Sequence, residues 1–146
     1  SENLPNWPDN FVRGITNPNN IQPGDEVEYT IYFLSGGSGP LDNAVVCDPL
    51  QNFQTFRTDT FNGQTPTEGA FGSEVGIAFG LNPLNPDLPT AYLRSANSAS
   101  NRGRFYPSGT ATPLICRPNI RGAVVVDIGN LGVGDYGFIR FRVTID

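Results

Sequence analysis

The chain has no lysine, no histidine and no methionine, and only one tryptophan and two cysteines among 146 residues. Each absence removes a class of chemistry. Without an imidazole, the Ser/His/Asp and Cys/His arrangements that activate a nucleophile near neutral pH have no base. Two cysteines with no histidine cannot complete a tetrahedral zinc shell unless carboxylates join them. Without lysine, the glycine-rich stretch Ser35, Gly36, Gly37, Ser38, Gly39 lacks the cation of a phosphate loop, and no helical pattern follows it; it reads as a hairpin turn. Nine scattered arginines against a net charge of -5 do not make the clustered basic surface that nucleic acid requires. No apolar run approaches the roughly 20 residues that span a bilayer, so no membrane insertion is expected. The chain starts without Met and without a charged-then-apolar leader, which fits a removed signal peptide or a fragment of a longer protein.

What is present is punctuation and alternation. Gly 17 and Pro 13 make for short elements, and apolar residues never recur at helical spacing for more than a turn, so little helix is expected. The longest alternating run is 24–34. Val27, Tyr29, Ile31 and Phe33 fall on one face and Glu26, Glu28, Thr30 and Tyr32 on the other, as a half-buried strand requires. The run 136–145 repeats the pattern, with Ile139, Phe141, Val143 and Ile145 inward and Arg140 and Arg142 outward, where Glu26 and Glu28 are candidate partners. Further strands are expected at 11–16, 42–48, 53–58 with 60–61, 75–80, 90–95, 103–106 and 122–129. Roughly nine strands at hairpin spacing predict an all-β, immunoglobulin-like antiparallel β-sandwich, one domain over 1–146, with 1–10 an extended N-terminal arm.

Cys47 and Cys116, an even pair far apart in an Asn-, Ser- and Thr-rich chain, suggest a disulfide and an oxidising, extracellular setting; two buried free thiols are the alternative. Paired carboxylates remain the one acid/base option, but Asp25, Glu26 and Glu28 lie in or beside a strand whose wet face already accounts for them. Calcium is the more serious ligand, with Asp42, Asn43, Asp48, Asp127 and Asp135 near strand ends, set against the simpler reading that these residues cap turns. Trp7, Tyr92, Phe105 and Tyr106 are candidate glycan contacts, or else core and rim. No catalytic residue, cofactor or metal site is assigned.

Residues 23–34, then a turn of small residues, then 43–50 with Cys47, and the ending 134–143 together resemble the DUF11 family, the conserved repeat domain of bacterial surface proteins. The middle, 62–113, is longer than the usual module and is similar to a cysteine-bearing form associated with cyanobacterial proteins. The resemblance implies a secreted or surface-anchored immunoglobulin-like module with a structural or adhesive role and no enzymatic activity. The Lys-Asn isopeptide crosslink of some surface modules is impossible here, because there is no lysine.

Two functional expectations follow. The first is a structural module of an extracellular surface or filament. It polymerises head to tail when the arm, with Trp7, Phe11, Val12 and Ile15, pairs with an edge strand of a neighbour. The alternative is an extracellular adhesion module that binds glycan or calcium. In either case other surface proteins or glycans are possible partners.

Overall fold

The computed structural model describes residues 7, 20–68, 73–85, 87–96, 102–113, 116 and 121–146. Among them there is no helix and there are nine strands: β1 (Glu26–Leu34), β2 (Leu41–Pro49), β3 (Gln54–Phe56), β4 (Thr67–Glu68), β5 (Val75–Leu81), β6 (Ala91–Arg94), β7 (Gly103–Tyr106), β8 (Ala123–Leu131) and β9 (Tyr136–Ile145). They form a β-sandwich. The large sheet runs β1-β9-β5-β6-β4, with β3 also paired to β9, and the small sheet runs β2-β8-β7. All pairings are antiparallel except β4 with β6.

The alternation of β1 and β9 is what sets the sandwich. The two strands pair over nine residues, Glu26 opposite Thr144 through to Leu34 opposite Tyr136. Their apolar sets, Val27, Tyr29, Ile31 and Phe33 with Ile139, Phe141 and Val143, turn to the same side and into the core. Val124, Val126 and Ile128 of β8 close that core from the small sheet. Aromatic contacts cross or fill the interior: Phe56 stacks on Phe105 at 4.6 Å, and Phe33 on Phe79 at 6.2 Å. At the edge of the core Arg102 pairs with Glu68 at 2.9 Å and lies 5.0 Å over the Phe79 ring.

Several expectations need correction. The 35–40 stretch is not a hairpin: β1 belongs to the large sheet and β2 to the small one, so these six residues cross between sheets. The turn 132–135 crosses back, from β8 to β9. The two crossings support one another, since Ser35 N donates to Asp135 O at 2.8 Å and Gly134 N to Ser35 O at 2.8 Å. Strand β3 starts at Gln54, not Phe53, because Phe53 takes a positive φ of 63°. Thr60 and Phe61 lie in a turn, and β4 was not expected at all. The expected strand 11–16 lies outside the described residues.

The long strands β1, β2, β8 and β9 run between two poles. The 35–40 and 132–135 crossings and the 82–90 loop meet at one, here called the top, where Asn82 N donates to Tyr136 O at 2.7 Å. The other, the base, holds the entry into β1 and the exit of β9: Gly24 N donates to Ile145 O at 2.7 Å and Asp146 N to Phe53 O at 2.8 Å.

Candidate assembly site on the outer face of the large sheet

Away from the core, the large sheet carries two different surfaces. Toward the base lies a lattice of opposite charges. Arg142 Nε donates to Glu28 Oε2 at 2.8 Å and its NH1 to Glu26 Oε1 at 3.3 Å. Arg57 pairs with Glu26 and, at 3.2 Å, with Asp59. Arg140 Nε donates to Thr30 Oγ1 at 3.0 Å and stands 3.5 Å from Glu28. The bond with Glu28, joined by its charge and that of Glu26, raises the affinity of Arg142 for its proton above that of an ordinary guanidinium, against the opposing effect of burial. Glu26 and Glu28 are thus the partners that alternation assigned to Arg140 and Arg142. With both signs interleaved on adjacent strands, the lattice neutralises itself and has little field left to steer a polyanion.

Toward the top the same face becomes aromatic. Phe138 points outward, as Arg140 and Arg142 do, yet it is fully buried. Its ring lies over Gly80, where a Cβ would come within 2.5 Å of it. The Arg140 guanidinium is 4.6 Å from the ring centroid. Tyr32 stands opposite Phe138 in the β1–β9 register, and the Tyr136 hydroxyl donates to Pro83 O at 3.1 Å, which fixes that ring beside the 82–90 loop. Trp7 sits on this group, edge-on to Tyr32 at 6.0 Å and to Tyr136 at 6.5 Å, as part of one cluster with Phe138. Such pairs contribute about 0.5–1.5 kcal/mol each beyond the area they bury.

Trp7 therefore seats on the sheet face of its own chain. Phe11, Val12 and Ile15, the other arm residues singled out from the sequence, lie outside the described residues. The seat itself, Tyr32, Tyr136 and Phe138, was not picked out. Its signal was present: Tyr32 and Phe138 are bulky rings at positions where β1 and β9 otherwise place Glu26, Glu28, Arg140 and Arg142.

The small sheet's outer face is built differently. Val125 and Ala123 alternate away from the core side of β8 yet are buried. Cys47 stands opposite Val125 and is bonded to Cys116, with the two Cα atoms 5.7 Å apart. The bridge fastens the 107–122 connection, at Cys116, to the strand that begins the small sheet.

The candidate ligand residues do not converge. Asp135 accepts from Gly132 N at 2.7 Å and from Asn82 Nδ2 at 3.1 Å, Asp127 accepts from Gly129 N at 3.1 Å, and Asn43 N donates to Asn130 Oδ1 at 3.0 Å. These are contacts of the 132–135 turn with the 82–90 loop, and of the irregular β2–β8 pairing. Asp42 is exposed at the start of β2, while burial on the inner side of that strand pushes the Asp48 carboxyl above its ordinary range. Among the described residues no three His, Cys, Asp or Glu side chains are grouped to hold a metal ion. The aromatic candidates are dispersed as well: Phe105 is interior, Tyr92 pairs with Phe61 at 5.5 Å on the large sheet's outer face, and Tyr106 lies 4.2 Å under Arg104 on the small sheet. Among the described residues no helix is long and apolar enough to cross a membrane. Compared with protein-family models, with curated proteins and with solved structures, the chain matches none.

Proposed function

We propose that this chain is a non-enzymatic structural module of an extracellular surface or filament, an immunoglobulin-like relative of the DUF11 surface repeats, which self-assembles through its N-terminal arm. The observation that carries the reading is the Trp7 seat. A sandwich with a complete core has no need of an aromatic platform on an outer face, and here the only tryptophan of the chain is delivered to that platform by a polar, proline-interrupted segment that buries little else by its composition. A polar, proline-interrupted terminal segment of this composition is the kind that copies can exchange.

Three further features agree with it. The disulfide suits an oxidising compartment. The absence of histidine and lysine leaves carboxylates as the acid/base option, and Glu26 and Glu28 are engaged by arginines. The charged side chains of the large sheet are taken up by one another rather than aimed at a common point.

The test is removal of residues 1–10, with molar mass measured by light scattering beside the intact oxidised chain. The intact chain is expected to give multimers whose mass rises with concentration, and the truncated chain a monomer of unchanged secondary structure. An intact chain that stays monomeric at high concentration defeats the reading. A glycan array hit, or a large calcium-dependent rise in melting temperature, would put a ligand-binding module in its place.

A further inference from the structure

Of the 13 prolines one follows an aspartate, so Asp48–Pro49 is the single Asp-Pro bond of the chain. Such a bond is chemically unlike its neighbours. The aspartate carboxyl reaches its own carbonyl carbon by closing a five-membered ring. The proline nitrogen, part of a tertiary amide, takes a proton more readily than an ordinary peptide nitrogen and leaves as a secondary amine. With nucleophile and carbonyl in one residue the step is intramolecular, where effective molarities are high.

The fold leaves both reacting groups available. Val46 packs against the core, and Asp48, two residues on, shares its face of β2. Burial raises the pKa of this carboxyl, and among the described residues no hydrogen bond or opposite charge holds it. The inward side chains of β1, β3, β7, β8 and β9 carry no charge; the titratable group among them is the Tyr29 phenol, which accepts from Gln54 Nε2 at 2.5 Å. The backbone is set to match. Leu50 N donates to Gly122 O at 2.8 Å, and paired residues of an antiparallel ladder alternate between bonded and non-bonded. In the β2–β8 register the bonded pair is therefore Asp48 with Val124, and Pro49 with Ala123 is a non-bonded one. The Asp48 carbonyl thus accepts from Val124 N–H, a donor that steadies the oxygen as charge collects on it. The Pro49 nitrogen faces the other way, toward the outer edge of β2, which no strand covers among the described residues. Pro49 itself is exposed.

We infer that Asp48–Pro49 is a self-cleavage site, which opens in acid and leaves a two-chain module joined through Cys47 and Cys116. A carboxyl oxygen of Asp48 attacks the Asp48 carbonyl carbon. A C–O bond forms, the C–N bond to Pro49 breaks, and the carboxyl proton passes to the departing nitrogen. Water then opens the cyclic anhydride left on Asp48, so the net change is one water added across the peptide bond, with nothing oxidised or reduced. Each molecule cuts itself once, and the inference is independent of the assembly reading. The cut falls one residue after Cys47, so the disulfide to Cys116 keeps residues 1–48 attached to 49–146. The shorter piece carries β1 and β2, the edge strands of the two sheets. Once the bridge is reduced, non-covalent contacts alone hold it.

The test holds the oxidised full-length chain for days at pH values from about 3 to about 6, spanning the aspartate range, with the native fold checked by circular dichroism at each. After reduction, mass spectrometry is expected to find two fragments, one ending at Asp48 and one beginning at Pro49. Without reduction it should find one species heavier by a single water. Because the protonated carboxyl is the reacting form, its raised pKa places the half-maximal rate at a higher pH than in a synthetic peptide of residues 44–53. Asp48→Asn should abolish the cut, and Pro49→Ala should slow it at least about tenfold by making the leaving nitrogen harder to protonate. A folded chain that stays whole throughout would overturn the inference. So would cleavage that persists in Asp48→Asn, a cut seen only where the chain has unfolded, or a pH profile that coincides with the peptide's.

Discussion

The two outer faces of this sandwich bury apolar side chains by opposite means. On the small sheet, Val125 lies beside Cys47, and the disulfide to Cys116 ties a connecting segment there covalently. On the large sheet, Phe138 is as deeply buried as any residue of the interior, and it is covered by Tyr32, Tyr136 and Trp7 together with the Arg140 guanidinium. Trp7 is held there by edge-on ring contacts at 6.0 and 6.5 Å. A bonded segment cannot leave without reduction, whereas the seat of Trp7 has no covalent tie and is the contact that the assembly proposal exchanges between copies. The first arrangement serves stability, and the second is the one on which the proposed assembly rests.

The largest effect that would break this contrast is expected at the bridge. Replacing Cys47 and Cys116 together by serine opens a loop whose ends are 69 residues apart, and the chain-entropy relation puts the loss at roughly 4 kcal/mol, read from denaturant unfolding. Assembly by the remaining folded fraction should persist; if it vanishes while the fold survives, the two faces are not independent.

Next comes Phe138→Ala. An outward position on a strand usually tolerates truncation, but this ring is fully buried, so a loss of about 3 kcal/mol is expected, as at a core phenylalanine. A loss below about 1 kcal/mol would mean that the seat is superficial. The charge lattice should matter far less. Glu28→Gln removes partners of Arg142 and Arg140, but Glu28 and Arg142 are both 39 % exposed. The expected cost is therefore below about 1 kcal/mol and shrinks as salt is added.

The smallest effect belongs to Asp48. Burial raises its carboxyl pKa in the folded state, so the fold favours the protonated form. The stabilisation this gives is complete below the unfolded-state pKa and is lost as pH rises through the folded one. Asp48→Asn should therefore match the parent chain in acid and exceed it slightly in melting temperature at neutral pH. A variant less stable at pH 7 would contradict that sign.

Much of the fold could be read from alternation, because burial on one face imposes a period of two that no other structure shares. The runs at 24–34 and 136–145 gave β1 and β9, their inward faces and the Glu–Arg partners across them. Pairing was harder. Ser35 to Pro40 looks the same locally whether the chain folds back within a sheet or crosses to the opposite one. The choice is made by β9, about a hundred residues away, which takes the place beside β1 that β2 would have filled. Strand β4 was hidden because two residues carry no period, and they pair with β6 only once the 57–66 turn has brought them there. The seat was half legible: Trp7 stands out as a lone ring in a polar arm, while alternation puts Tyr32 on the wet face of its strand and leaves Phe138 unremarked at the start of the last one. Recognising it needed the register that sets Tyr32 opposite Phe138 and the missing Cβ of Gly80.

Trp7 being the only tryptophan, a chain lacking residues 1–10 is dark in tryptophan fluorescence, and a synthetic peptide of residues 1–19 supplies the one emitter. Titrating that peptide with the folded, oxidised, truncated chain asks directly whether the seat accepts an arm from another molecule. Saturable binding is expected, with a rise in anisotropy and a blue shift as the indole leaves water, and both should be abolished by Phe138→Ala in a variant shown to remain folded. Emission and anisotropy that stay those of the free peptide, on a truncated chain of unchanged melting temperature, would contradict an exchangeable arm.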